Sequence, residues 1–349
     1  MEVLQWFRKN HPNVLERMKN VPHGYVNGYL ESYSPYHLEG DVYTHTMLVY
    51  SHAAKNFANE PELLAALLHD YGKVFTAVDD HEKQRRFFRG HEGVSFFRSI
   101  NIVKEYMQSS DMGNLSEEAR DELTKAVLFA IANHGVGFNH NPRTKEDVEK
   151  LVSVVNKTEK YMLDGLMEAD YLGKICEKKN KKSLDLFQVV GVDKPPVDFY
   201  KEVVIMVGLP GSGKSTYIKN NLPTHSVVSR DEIVEAMNPD MSYAKAFRNA
   251  DQKEVDRLLM EKYNESLKTS TKVVVDLTNL SKKSRKKWIT LARQKQFNVR
   301  AVIMATDFMD CCQRRNATEK IVPYGVIADM STKFTYPLGD EVDAVQMVI

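Results

Sequence analysis

The sequence predicts a multidomain protein: an all-α half over residues 1–195, then an α/β half over residues 200–349 built on a parallel sheet. Three observations carry this expectation. At 349 residues the chain is long for a single hydrophobic core. Roughly the first 190 residues place apolar side chains at three-four spacing with few β-branched runs, which is helical periodicity. Beyond them, short β-rich runs alternate with helical segments, the pattern of parallel strands joined by crossover helices.

Taken in order, "LLAALLHDYGKV" (Leu63 to Val74) reads as a buried helix ending on a histidine and an aspartate. "LTKAVLFAIANH" and "LVSVVNKTEKYMLDGLMEADYLGK" read as further long helical segments. The stretch "CEKKNKKSLDLFQVVGVDKPPVDFYKE" combines a lysine-rich run, a glycine and a double proline, so it does not continue a helix and suits a junction. The boundary is placed near Pro195-Pro196, with a linker over about 191–200. "VVIMV", "HSVVS", "KVVVDL" and "NVRAVIMA" are then the candidate strands. The chain shows no internal repeat and no low-complexity tract.

Composition narrows the function classes. With 48 basic against 47 acidic side chains, overall charge gives no general attraction to nucleic acid or membrane surfaces, so any polyanion contact must be local. Three cysteines, two of them adjacent (Cys311, Cys312), do not make a disulfide framework and fit a reducing compartment. "MEVLQWFRKN" has no apolar signal core, and the longest apolar stretches are far short of the roughly 20 residues that span a bilayer. The expectation is a soluble, cytoplasmic protein.

"VVIMVGLPGSGKST" contains Gly208-Leu-Pro-Gly-Ser-Gly-Lys214-Ser215, a match to G-x-x-x-x-G-K-[ST] between a strand and a helix. Gly208, Gly211, Ser212 and Gly213 let backbone N–H groups turn toward a β-phosphate, and the following helix through Thr216 presents its positive end. Lys214 reaches the β/γ oxygens and Ser215 can hold Mg²⁺, so ATP or GTP binding is expected. In an open parallel sheet, ligands sit at the carboxyl ends of strands, where "VVSRDE" delivers Arg230 and Asp231. Asp231 can take the proton of an incoming hydroxyl, or serve only as a helix cap. "VVVDLTNLS" places Asp276, Thr278 and Asn279 at another strand end, suited to Mg²⁺-bound water or the acceptor. "DCCQRRNATEKIVP" brings Arg314, Arg315 and Lys320 onto an expected helical lid that can neutralise charge on a transferred phosphoryl group. "SKKSRKKW" is either a set of phosphate contacts or a solvated helix face.

The order strand, phosphate loop, "SRDE", "DLTNLS", arginine lid, "VP" over residues 200–345 resembles the kinase domain of the polynucleotide 5′-hydroxyl kinases. The resemblance implies Asp231 as general base for a terminal 5′-OH, with Lys214, Ser215 and a lid arginine, Arg315, holding ATP. Phage-type kinases carry an arginine three residues after the catalytic aspartate; here that position is Val234. The second lid arginine is replaced by Glu319 or Lys320.

In the helical half, His45, His69-Asp70, His91, His134 and Asp170 sit mostly at helical segments or their ends, where imidazoles and carboxylates from several helices can converge. With the H-D-x-G-K sequence, residues 25–185 resemble the HD phosphohydrolase superfamily. The resemblance implies His45, His69, Asp70 and Asp170 around one metal, His91 and His134 joining a second, and Asp70 bridging the two. Mixed His/Asp ligation points to Mn²⁺, Co²⁺, Ni²⁺, Fe or Zn²⁺, one or two ions, rather than an oxygen-only Mg²⁺ site. Such ions can acidify a water and stabilise the attacking and leaving oxygens of a phosphoester, with Lys73 screening the phosphate. His37 and His140 can orient a ligand or touch substrate, or are surface histidines with no part in the site.

Together the halves resemble the HD-type polynucleotide kinase-phosphatases. The resemblance implies ATP-dependent phosphorylation of 5′-OH ends of DNA or RNA and metal-dependent removal of a 2′,3′-cyclic, 2′- or 3′-phosphate, with a ligase acting downstream. Two other readings stay open: a nucleotide or small-metabolite kinase fused to an HD nucleotide phosphohydrolase, and an HD hydrolase regulated by an ATP-binding module.

Overall fold

The computed structural model describes residues 2–23, 38–56, 59–82, 85–176, 189–193 and 199–349. The expected junction at Pro195-Pro196 and His37 lie outside them. The chain forms two compact units, Met1–Asp193 with Ser331–Tyr336, and Lys194–Met330 with Pro337–Ile349.

The first unit is helical. Its helices are α1 (Val3–Asn10), α2 (Pro12–Lys19), α3 (Val42–Asn56), α4 (Glu60–Leu68), α5 (Lys73–Thr76), α6 (His91–Gln108), α7 (Glu117–Asn133), α8 (Val136–Asn139), α9 (Lys145–Val152) and α10 (Lys157–Gly173). From Pro61 to Leu68 every residue of α4 is buried, Glu62 included, and this helix, otherwise apolar over that run, forms the centre against which α3, α7 and α10 pack. The stretch read as one helical segment from Leu151 is two helices. Asn156 accepts from the Glu159 N–H and Glu159 reaches back to the Asn156 N–H, a reciprocal cap that starts α10 and leaves Ser153–Val155 outside both helices.

The all-α expectation needs one correction. Strands β1 (Val78–Asp80) and β2 (Arg85–Phe87) form an antiparallel hairpin, too short to carry a period-two hydrophobic signal. Asp79 pairs opposite Arg86, which donates to both of its carboxylate oxygens at 2.6 and 3.0 Å.

No sequence signal marks residues 331–336 as part of the helical unit. Phe334 stacks on Phe96 at 4.9 Å between ring centroids and meets Phe97 edge-on at 5.0 Å, while Tyr336 packs edge-on against Phe129. The hydrophobic core of this unit is therefore completed by residues distant in sequence.

The second unit is α/β. Its elements are β3 (Glu202–Val207), α11 (Lys214–Asn221), β4 (Ser226–Ser229), α12 (Arg230–Met237), α13 (Tyr243–Asn249), α14 (Gln252–Thr269), β5 (Lys272–Asp276), α15 (Lys282–Gln294), β6 (Asn298–Met304), α16 (Phe308–Asn316), α17 (Tyr324–Ser331) and β7 (Ala344–Val348). The sheet is parallel throughout, in the order β4-β5-β3-β6-β7. The four strands expected from the β-rich runs are present; β7, a half-buried edge strand, completes the sheet. All of β3 is buried, and Val204, Met206, Val274, Val302 and Met304 form a core with Ile218 of α11 and Leu222 just beyond its end. Order and direction together bring the ends of β3, β4 and β5 to one edge, where the strand order reverses about β3.

Glu202, fully buried at the start of β3, ties the opposite edge together. It accepts from Lys272 Nζ at 3.0 Å and from Arg300 Nε and Nη2 at 3.1 Å, and His225 Nε2 lies 3.1 Å away. Burial works to raise its pKa, but the hydrogen bonds from His225, Arg300 and Lys272 outweigh it and hold the carboxyl at about 2. A depressed folded-state pKa stabilises the fold fully above the ordinary carboxylate value of 4.5, and that stability is lost as pH falls from there toward 2. Urea unfolding should show Glu202→Gln less stable than the parent by about 2 kcal/mol at neutral pH, the gap narrowing between pH 5 and 3. A gap independent of pH would contradict the assignment.

Candidate functional site

The helical unit brings together six side chains from five helices. His45 projects from α3, His69 and Asp70 follow α4, His91 begins α6, His134 follows α7, and Asp170 lies on α10. Gly72 makes this convergence sterically feasible: a β-carbon there would lie 2.0 Å from the His91 carbonyl oxygen and 2.7 Å from the Ser95 nitrogen. The glycine of H-D-x-G-K is thus where the start of α6 passes closest to the turn after α4.

Each histidine is anchored through Nδ1. His69, His91 and His134 bond the backbone carbonyls of Ala66, Phe88 and Ile131 at 2.8–2.9 Å, and His45 bonds Glu39 Oε1 at 3.0 Å. A carbonyl can only accept, so Nδ1 carries the proton and the neutral ring offers a lone pair at Nε2. All four Nε2 atoms point at Asp70. Its Oδ2 lies 3.3 Å from both His45 and His69, and its Oδ1 lies 3.2 Å from His91 and 3.6 Å from His134. Asp170 Oδ1 adds a contact of 3.1 Å to His45 Nε2 and one of 4.0 Å to His69 Nε2.

The cluster is built of lone pairs facing one another. Nε2 of His91 and of His134 approach to 3.1 Å although both rings donate at Nδ1. Asp70 Oδ1 and His69 Nε2 are buried without a hydrogen bond. Among the charged groups in and around it, the carboxylates of Glu39, Asp70, Glu92 and Asp170 outnumber the ammonium groups of Lys73 and Lys174. Burial would push His45 and His134 down, yet the surrounding carboxylates raise both; His69, for which burial dominates, is lowered. Burial likewise works against Asp70 and Asp170, but the ammonium groups of Lys73 beside the first and Lys174 beside the second help hold them well below the usual carboxylate range. These donors fit transition-metal cations, in two groups that share Asp70: His45, His69 and Asp70; and Asp70, His91 and His134.

Sequence reasoning singled out Lys73 as a screen for the phosphate, but missed its contact with Asp70 and missed the other supports. Glu39 orients His45 and also accepts the Ile175 N–H. Lys73 is buried, donating to Asp70 Oδ2 at 2.6 Å and standing 2.7 Å from Nε2 of His23. Lys174 donates to Asp170 Oδ2 at 2.7 Å, a partner legible in retrospect from the four-residue spacing. Glu39 and His23 come from loops and left no periodic or motif signal.

In the α/β unit the phosphate loop follows β3 as expected. Gly211 has φ +85°, and a β-carbon there would lie 2.5 Å from the Cys311 carbonyl oxygen and 3.1 Å from Arg315 Cγ, so α16 rests directly on the loop. Lys214 Nζ donates to the Gly208 and Leu209 carbonyls at 3.0 and 2.8 Å. Burial lowers its pKa to about 8, against the attraction of Asp276. Ser215 Oγ donates to Asp276 Oδ2 at 2.9 Å; burial raises the pKa of that carboxyl. Ser212 is buried and its carbonyl accepts from Thr306 Oγ1, while Thr216 is exposed on α11. Asp231 accepts from the Tyr243 hydroxyl at 2.7 Å and from Lys320 Nζ at 3.4 Å.

Other expected residues are placed differently. Arg230 is held by Asp256 and Gln252 at 2.7 Å each. Asn279 is buried at φ +44° with its amide donating to the Met206 carbonyl, a conformation that serves the turn, while Thr278 lends its carbonyl to the Gly208 N–H. In "SKKSRKKW", Arg285 is wholly buried, paired with both oxygens of Glu341, and only lysines remain on the solvated face. The expected helical lid ends at Asn316, so Lys320 lies beyond it.

Comparison with known proteins matches residues 203–337 to the family model described as an AAA domain. A "Bifunctional polynucleotide phosphatase/kinase" of Schizosaccharomyces pombe is 29% identical over 103 residues, 30% of this chain and 21% of that protein. A "Multifunctional CCA protein" of Burkholderia mallei is 37% identical over 100 residues, 29% of this chain and 21% of that protein. The chain thus spans about a fifth of the length of these curated relatives. A solved structure titled "Structure of the Pnkp1/Rnl/Hen1 RNA repair complex" aligns at TM-score 0.32 and 22% identity over 39% of this chain and 45% of that one. Among the described residues no helix is long and apolar enough to cross a membrane.

The dependence of His45 on Glu39 is directly testable. Glu39→Gln should weaken Mn²⁺ or Zn²⁺ binding about tenfold in a competition titration with a chelator, since a carboxylate partner fixes the tautomer and raises ligand basicity. Unchanged affinity would remove Glu39 from the centre.

Proposed function

We propose that the chain heals broken nucleic-acid ends with two independent sites: a kinase that phosphorylates 5′-OH ends from ATP, and a His/Asp metal centre that removes a 2′,3′-cyclic, 2′- or 3′-phosphate. The observation that carries the reading is that one chain holds both a phosphate loop with an aspartate at a neighbouring strand end and a buried cluster in which Asp70 faces two pairs of imidazoles. A fungal relative whose name joins phosphatase and kinase favours the same pairing.

In the kinase site, loop N–H groups, Lys214 and Arg315 hold the triphosphate, Ser215 and Asp276 hold Mg²⁺, and Asp231 takes the proton of the 5′-hydroxyl. In the helical unit, His45, His69, Asp70 and Asp170 hold one metal ion and Asp70, His91 and His134 a second. Bound there, such ions supply Lewis-acid stabilisation of a phosphoester and an acidified water. Lys73 adds a buried positive charge at Asp70. A polynucleotide ligase is the partner class that consumes the resulting 5′-phosphate and 3′-hydroxyl.

The test offers the purified protein an oligonucleotide with 5′-OH and 2′,3′-cyclic phosphate ends, ATP, and Mg²⁺ or Mn²⁺. Lys214→Ala should abolish 5′ phosphorylation and spare end dephosphorylation, and Asp70→Ala should do the reverse. Turnover of neither end by the parent protein, with phosphorylation of a mononucleotide instead, would replace this reading by that of a small-molecule kinase.

A further inference from the structure

Val234 is fully buried in the core face of α12, so the position one turn beyond Asp231 cannot touch an acceptor. A cation nevertheless stands beside Asp231. Lys320 Nζ lies 2.7 Å from Glu235 Oε1, 3.4 Å from Asp231 Oδ2 and 4.4 Å from the centroid of the Tyr243 ring. It lines a cavity of about 600 Å³ beside Asp231, shared with Asn238, Met241, Tyr243 and Arg315. Arg315 also reaches the phosphate loop, where its Cγ abuts Gly211, which leaves Lys320 as the cation nearer Asp231.

The cage around Lys320 is built to be exchanged. The Asp231 hydrogen bond from Tyr243 is short, whereas that from Lys320 is near the outer limit for such a bond. The closer partner, Glu235, is about half exposed and Lys320 about a third, and ion pairs this accessible to water have little net strength. A flexible stem with three donors can turn from Glu235 to a phosphate a few ångströms away, freeing Asp231 Oδ2 for a hydroxyl proton while Tyr243 keeps Oδ1 in place.

We propose that Lys320 binds the first internucleotide phosphate of the acceptor strand, released for that purpose from Glu235 and Asp231, and that Tyr243 positions Asp231. The proposal rests on the kinase reading above and adds to it the residue that favours a polynucleotide acceptor.

The experiment measures 5′ phosphorylation of an oligonucleotide and of the same oligonucleotide carrying a neutral methylphosphonate at its first linkage. Lys320→Ala should raise the acceptor KM about tenfold for the natural strand, leave the KM for ATP unchanged, and lower the salt dependence of acceptor binding by about one phosphate contact. On the methylphosphonate strand the parent should already show the raised KM and Lys320→Ala should add little. Lys320→Arg should restore the natural-strand KM, and Glu235→Gln should lower it by removing the competing carboxylate. With the parent active, an equal loss of kcat on both strands, or no change on either, overturns the proposal. A parent that phosphorylates no oligonucleotide overturns the kinase reading, and this one with it.

Discussion

Asp70 is the constraint on which the helical unit depends. A buried carboxylate costs several kcal/mol unless charges and donors surround it. Here one oxygen faces His45 and His69, the other His91 and His134, and Lys73 closes the remaining side. Those partners come from α3, the end of α4, the start of α6 and the end of α7, so satisfying one side chain fixes the relative placement of four helices. The buried α4, apolar from Leu63 to Leu68, is the counterpart: it delivers His69-Asp70 to the interior, where water cannot compensate the carboxylate and the Lys73 ammonium does so in part.

The α/β unit meets a similar demand by backbone geometry. Its parallel order places the ends of β3, β4 and β5 side by side, and with them the phosphate loop, Asp231 and Asp276. Loop N–H groups, Lys214 and the arginine-bearing α16 that rests on Gly211 gather at that edge, an arrangement suited to a phosphate group. At the other end of the sheet, Glu202 gathers Lys272, Arg300 and His225, a buried network far from the ligand edge that holds three strands and a loop in register.

Legibility in the sequence followed the range of the interactions. The phosphate loop, its strand and its helix are contiguous, and the four β-branched strands announce themselves by composition. Residues brought to the His/Asp cluster were readable as a set because four of them, His69, Asp70, His91 and His134, lie where helices close or open, and helix ends are visible in sequence. What escaped was fixed by tertiary approach alone. Glu39 and His23 lie in loops, Phe334 joins a core more than two hundred residues upstream, and Arg285 sits within a lysine-rich run yet is buried by Glu341. The split between α9 and α10 was readable, because Asn156 and Glu159 have the spacing of a reciprocal cap.

The most direct measurement is anomalous X-ray scattering from crystals grown with Mn²⁺, collected above and below the metal edge. Two peaks should flank Asp70, one among His45, His69 and Asp170 and one between His91 and His134. Scattering peaks elsewhere, or none beside Asp70, would contradict that placement.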